Sequence, residues 1–162
     1  MTLNKVTAQI LDLLKQNNAW FETFEHEPVR TSEEAAKIRK GYTLEQGAKA
    51  LITKIKIPNS ENKFIMLVIP GNLKFEGNKV KKLLGAKDIR FATEDEVLKI
   101  TDGVQPGGVP PFGELFNLEV IADPILLENE KIIFNAGDRG FSIGMLAANY
   151  IKIVNPRVES IV

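Results

Sequence analysis

The chain has 162 residues, 21 basic and 21 acidic, with one histidine and no cysteine. Its length and 44% apolar content fit one globular domain with a real core, and zero net charge argues against a general polyanion binder. Disulfides, thiolate metal sites, cysteine nucleophiles and any site built from several imidazoles are excluded, so no metal or cofactor is expected.

Val6, Ile10, Leu13 and Leu14 recur at helical spacing and predict an amphipathic helix over residues 3–16. The same N-terminal stretch is amphipathic rather than signal-like, and no apolar run is long enough to span a bilayer; a cytoplasmic protein without membrane contact is expected. Residues 20–24 alternate large apolar and polar side chains, as a short strand does. Thr31 followed by Glu34 forms a capping box for a helix that stops before Gly41. Residues 48–57 (AKALITKIKI) and 63–69 (KFIMLVI) predict an antiparallel hairpin turning at Pro58-Asn59-Ser60. A short basic helix follows over 79–84, closed by Gly85, then a strand over 89–92 and a second capping box, Thr93 with Glu96, for a helix over 93–99. Residues 118–122, 131–135, 141–145 and 150–154 all read as strands, with turn chemistry at 135–140. The expectation is one compact α+β domain over residues 1–162, with a mixed, mostly antiparallel sheet of about seven strands wrapped by helices.

Charge is unevenly spread along this order. Residues 37–90 carry thirteen basic and four acidic side chains, net +9, against −3 before and −6 after. Such a basic third fits a nucleic-acid or phosphate partner; lysines on two solvated helices and an exposed sheet face would give the same count.

The sequence offers little side-chain chemistry. Motifs for a serine elbow, a histidine metal cluster, a phosphate-binding loop or a dinucleotide fold are missing. What remains is backbone. Residues 105–113 (QPGGVPPFG) hold three prolines and three glycines, so they form neither helix nor strand interior. They are either a connector or rigid backbone whose N–H groups form an anion or oxyanion site, as the 135–140 turn also could. Lys49 stands among Ala48, Ala50, Leu51 and Ile52, where a lysine either grips a phosphate or carboxylate or snorkels from a strand end. His26 before Pro28 fits a hydrogen-bonded structural residue better than a base. Arg139, beside Asp138 in a turn, could reach a phosphate.

Four segments in order, HEPVRT at 26–31, GAKAL at 47–51, GGVPPFG at 107–113 and NAGDRG at 135–140, resemble the YbaK/prolyl-tRNA-synthetase-associated family of aminoacyl-tRNA deacylases. The resemblance implies a compact, largely antiparallel sheet wrapped by helices and hydrolysis of the ester between a wrong amino acid and the 3′ end of tRNA. At this length the chain is similar to members that act in trans, with tRNA as partner through its aminoacylated 3′ end and acceptor stem, and an aminoacyl-tRNA synthetase as a second partner. The matching lysine, Lys49, is implied in contact with the phosphate or ribose of the terminal adenosine. Gly107 and Gly108, with Val109, Pro110 and Pro111, are implied around the scissile carbonyl through their backbone. His26, Thr31, Gly137, Asp138, Arg139 and Ser142 complete the implied substrate-binding set, and a ribose hydroxyl is implied to assist the attacking water. Lys74, Lys79, Lys81, Lys82, Lys87 and Arg90 are the candidates for the acceptor stem. The chain departs from better-known branches: Pro110 replaces the serine of the cysteine-directed branch, Ser142 replaces its aspartate, Ala136-Gly137-Asp138-Arg139-Gly140 replaces its Gly-Gly-Lys-Arg-Gly, and no histidine follows His26 as in the alanine-directed branch. The edited amino acid therefore stays open among Pro, Ala, Cys, Ser and Thr, and a non-catalytic module binding tRNA ends or a synthetase is the rival reading.

Overall fold

Local signals start most elements of the fold, and long-range packing decides how they pair. The computed structural model describes residues 3–28 and 31–162, apart from the side chain of Ser32; Val29 and Arg30 of the first motif lie outside the described residues. Helix α1 (Lys5–Gln16) begins at Asn4, whose Oδ1 accepts the Thr7 N–H at 2.8 Å, and it buries Val6, Ile10 and Leu14 along one stripe. Helix α2 (Ser32–Ile38) is capped by Thr31, whose hydroxyl accepts the Glu34 N–H at 3.1 Å.

The described strands form two sheets. In the first, β1 (Phe21–Glu25) pairs antiparallel with β7 (Phe141–Leu146), which pairs antiparallel with β6 (Lys131–Asp138). In the second, β2 (Ala48–Lys56) and β3 (Lys63–Pro70) form the expected antiparallel hairpin, with Asn59 in the left-handed region of its turn. Strand β4 (Asp88–Phe91) adds antiparallel to β2, while β5 (Glu119–Ala122) and β8 (Arg157–Val158) extend the β3 side in parallel. A parallel bridge between Gly47 and Ile133 joins the sheets. The α+β class and antiparallel bias hold, with the strands divided between two sheets rather than gathered in one.

The two sheets share a core with α1 that includes Ile52, Met66, Phe134 and Ile143. A second cluster covers the other face of the five-stranded sheet, where α3 (Gly77–Leu84) lays Val80 over Ile55, Ile65 and Leu67. Helix α4 (Glu94–Thr101) carries the reciprocal capping box: the Thr93 hydroxyl accepts the Glu96 N–H and Glu96 accepts the Thr93 N–H. The short α5 (Pro124–Leu127) starts at Asp123, fully buried, whose two oxygens accept N–H groups from Ile125 and from Ile161 and Val162.

Two expectations are corrected. Residues 150–154 are not a strand but the end of α6 (Ala147–Val154). Their β-branched side chains suggest a strand, yet Ala147 and Ala148 start a helix, Asn155 closes it in the left-handed region, and Tyr150 must turn inward to donate to Pro111 O at 2.7 Å. Residues 135–138 are not turn but the end of β6, carried past a register shift by Gly137 at φ 94°. The end of α1 makes this conformation specific: Asn4 Nδ2 donates to Gly137 O at 2.9 Å and Thr7 Oγ1 to Ala136 O at 2.6 Å.

One feature of β2 positions the site. β4 covers only Thr53 to Lys56, so among the described residues the edge of β2 over Ala48 to Leu51 that faces away from β3 carries no strand. A cleft of about 210 Å³ runs along these residues, walled by α2, the 3-10 turn Leu44–Gln46, and the Pro/Gly loop.

Candidate functional site

The loop that sequence left open as connector or rigid backbone is held from behind. Phe112 is fully buried, edge-on to Phe134 and Tyr150 with ring centroids 5.4 and 5.6 Å away. Pro110 and Pro111 are buried as well and are not among the residues that line the cleft. In front, Pro106–Gly108 makes a 3-10 turn in which the Gly108 N–H donates to Gln105 O at 2.8 Å, and the Phe112 N–H donates to Pro110 O. Those two amides are committed. Prolines have no N–H, so of the loop residues that line the cleft, Pro106, Gly107 and Val109, the last two carry amide donors. Gly108 instead serves close approach: a Cβ there would sit 3.3 Å from Asp138 N and 3.4 Å from the Gly137 carbonyl carbon.

The other wall of the cleft carries a cation that sequence reasoning missed. Arg39, just past the end of α2, is only 7% exposed. Its Nε donates to Ser142 Oγ at 3.1 Å and Nη2 donates to Asn135 Oδ1 at 2.7 Å. Arginine has only donors, so it fixes which way the Asn135 amide points. The Asn135 Nδ2 then donates to Gly107 O at 2.7 Å, and the 107–108 peptide is fastened at both ends. Ser142, fully buried on β7, also lies 2.8 Å from His26 Nε2, while His26 Nδ1 lies 2.9 Å from Glu27 O. A carbonyl only accepts, so Nδ1 carries a hydrogen and donates to Glu27 O, while Nε2 bonds the Ser142 hydroxyl. His26 is thus a structural partner of Ser142 in this arrangement. Burial pulls the Arg39 guanidinium down to about 10 from the ordinary arginine value.

Lys49 lies at the cleft end of β2, half-buried, and its Nζ donates to Leu73 O at 2.7 Å and to Gly71 O at 3.5 Å. Burial lowers its pKa; the negative charge of Glu33 on α2 raises it and the positive charge of Lys74 lowers it. The ammonium is therefore held in place by backbone carbonyls, with a second lysine near it.

The expected residues do not all meet in one place. Thr31, Lys49, Gly107 and Val109 line the cleft together. Gly108, Gly137, Asp138 and Arg139 line a second depression beside the Pro106–Gly108 turn. There Arg139 lies across Gly107, where a Cβ would meet its Cδ at 2.9 Å, and Asp138 Oδ1 accepts the Gly140 N–H at 2.7 Å. His26 and Ser142 reach the cleft only through Arg39 and Asn135. Asn135 was visible as part of a motif without a role; Arg39, in a stretch of basic residues before Gly41, looks like a solvated helix end. Among the acceptor-stem candidates, Arg90 is already clamped by Glu96 through two bonds of 2.7 and 3.1 Å, and Lys79 donates to Val162 O. Lys74, Lys82 and Lys87 are exposed.

The model of the aminoacyl-tRNA editing domain family matches residues 26–153. The multifunctional Ser/Thr-tRNA deacylase ProXp-y of Escherichia coli strain K12 is 33% identical over 160 residues, covering 98% of this chain and 94% of that protein. The proline–tRNA ligase of Ralstonia pickettii strain 12J is 27% identical over 116 residues, 72% of this chain but 20% of the ligase. Among solved structures, that of hypothetical protein APE2540 superposes with a TM-score of 0.80 at 24% identity, covering 94% of this chain and 98% of that one. A candidate trans-editing enzyme for prolyl tRNA synthetase does so with a TM-score of 0.80 at 21% identity, covering 99% and 98%. These two structures speak to the fold alone.

Proposed function

The chain belongs to the aminoacyl-tRNA editing domain family, and from that premise we propose that it is a trans-editing deacylase, residues 1–162 acting as one unit on the ester of a mischarged tRNA. The observation that carries the reading is the cleft itself, which Lys49, Gly107 and Val109 line together beside a loop fastened by Asn135. In the reaction, water adds to the ester carbonyl carbon, the oxyanion collapses, the carbon–oxygen bond to ribose breaks, and the ribose oxygen takes a proton. The Gly107 and Val109 N–H groups supply donors for the developing oxyanion. Lys49 holds the phosphate or ribose of the terminal adenosine as a point charge. A ribose hydroxyl of the substrate, as the family resemblance implies, assists the water, which suits a cleft whose lining residues include no carboxylate or imidazole.

The Escherichia coli relative is named for Ser- and Thr-tRNA, and these are the first substrates to test here. A second, size-limited site removes such errors because a synthetic pocket separates similar side chains poorly. The acceptor stem is assigned to the α3 side, since Lys49 shares a face of β2 with Leu51 and Ile55, the face that α3 covers, and Lys81 and Lys82 are on α3. No helix among the described residues is long and apolar enough to cross a membrane.

The test is a panel of mischarged tRNAs with wild type and Lys49→Ala. Release of at least one amino acid by wild type, largely abolished in the variant, is the expected result. An intact panel at micromolar protein refutes deacylation, and tRNA binding without turnover would identify a non-catalytic module. Reversing Lys81 and Lys82 together is expected to flatten the salt dependence of tRNA binding; an unchanged slope removes them from the path.

A further inference from the structure

The Arg39 guanidinium has five N–H groups, of which one donates to Ser142 and one to Asn135. Among the described residues no carboxylate lies within ion-pair distance of it, although it is almost wholly buried. Among the described residues no buried side-chain nitrogen lacks a partner, so the spare donors are open to solvent, and a lone pair brought by a ligand takes the place of water there. The spare donors sit at the cleft wall: Nη1 is 3.9 Å from the point where a Gly47 Cβ would stand, and both residues line the cleft. Around them the lining is small, with Ala35, Ala36, Ala48 and Ala50.

We propose that Arg39 is the specificity-determining residue of the cleft, donating from its spare N–H groups to the hydroxyl oxygen of a small aminoacyl side chain. The proposal rests on the deacylase reading and adds to it the group that does the reading. An alanyl side chain in the same place brings no acceptor and leaves the guanidinium unsatisfied, whereas a seryl or threonyl oxygen accepts from it. A hydrogen bond to a charged partner supports a preference of about ten- to a hundredfold for the hydroxylated side chain.

Two readouts separate this inference from the deacylase reading. The first is affinity for non-hydrolysable 3′-aminoacylamino-adenosines carrying seryl, threonyl, alanyl or aspartyl groups. The second is single-turnover release from the corresponding seryl- and alanyl-tRNAs. Wild type is expected to favour seryl over alanyl in both. Arg39→Met is expected to erase the preference mainly by losing the seryl ligand, and Arg39→Lys to restore part of it. If Arg39 only supported Asn135 and the loop, both ligands would weaken together with their ratio intact, and the proposal falls. It falls equally if wild type favours the aspartyl analogue, shows no seryl preference, or binds none of them. Discrimination in binding without turnover upholds Arg39 and removes the deacylase; turnover without discrimination does the reverse. Thermal unfolding of each variant, with Arg39→Lys as the conservative one, guards against loss of the fold.

Discussion

Asn135→Asp changes one nitrogen to oxygen and tests whether the loop is held in its working position. Asn135 Nδ2 donates to Gly107 O at 2.7 Å, and Asn135 Oδ1 accepts from Arg39 at 2.7 Å. An aspartate keeps the second contact, now with a full counter-charge, and turns the first into two acceptors facing each other. Losing the bond forgoes about 1 kcal/mol, and leaving the carbonyl against another acceptor adds about 1–3 kcal/mol. The strain is relieved by displacing the 107–108 peptide, so it appears in the reaction. At about 1.36 kcal/mol per tenfold, a loss of about 2–4 kcal/mol is roughly 30- to 1,000-fold in kcat/KM. The carboxylate meanwhile pairs with a buried cation, so the urea midpoint should hold or rise. Single-turnover deacylation of a mischarged tRNA and a urea titration on the same preparation measure both. A variant whose kcat/KM stays within about threefold of wild type, with an unchanged midpoint, would refute the claim that Asn135 positions the loop.

Phe112→Ala should cost about 3–5 kcal/mol, since a fully buried ring leaves a cavity between Phe134 and Tyr150; in a protein this size that lowers Tm by about 6–20 °C, and a loss below about 1 kcal/mol would contradict the anchoring role. Burial lowers the Lys49 pKa, so its charge is lost at lower pH than that of an ordinary lysine. Deacylation should therefore decline with rising pH before 10.5, and Lys49→Arg, if active, should extend the alkaline limb; identical limbs would detach Lys49 from the profile. Arg90, then Thr93, hold the Glu96 carboxylate down to about 2 from 4.5, so its contribution to stability is present above the higher value and lost as pH falls towards the lower one. Glu96→Gln should accordingly lower Tm at pH 7 and match wild type near pH 2; an equal difference at both pH values would assign the effect to the cap alone.

What could be read from the sequence is whatever a few neighbouring residues decide. Thr93 and Glu96 specify a helix start within four positions, and the hairpin over β2 and β3 follows from two periodic runs and Asn59. Residues 150–154 misled because Tyr-Ile-Lys-Ile-Val has strand chemistry, while the hydroxyl of Tyr150 answers to a carbonyl 39 positions away. Gly137 looked like a turn glycine because nothing nearby in sequence announces that Asn4 and Thr7 will hold β6 extended through it. The family resemblance and the α+β class stand. Lys49, Thr31, Gly107 and Val109 meet in one cleft, yet Arg39 could not be found: three basic residues in four positions look solvated, and only the closing of β6 and β7 over it reveals otherwise.

The uncovered edge of β2 has a consequence for how the protein coexists with copies of itself. A strand edge with unpaired amides is a template for another chain, and a substrate site built along one would ordinarily invite self-association. Here Ala48 to Leu51 line a cleft walled by α2, the Leu44–Gln46 turn and the Pro/Gly loop, and those walls stand beside the uncovered edge. On the proposed reading, the walls that frame the nucleotide end of the substrate are also what shields this strand edge from other chains.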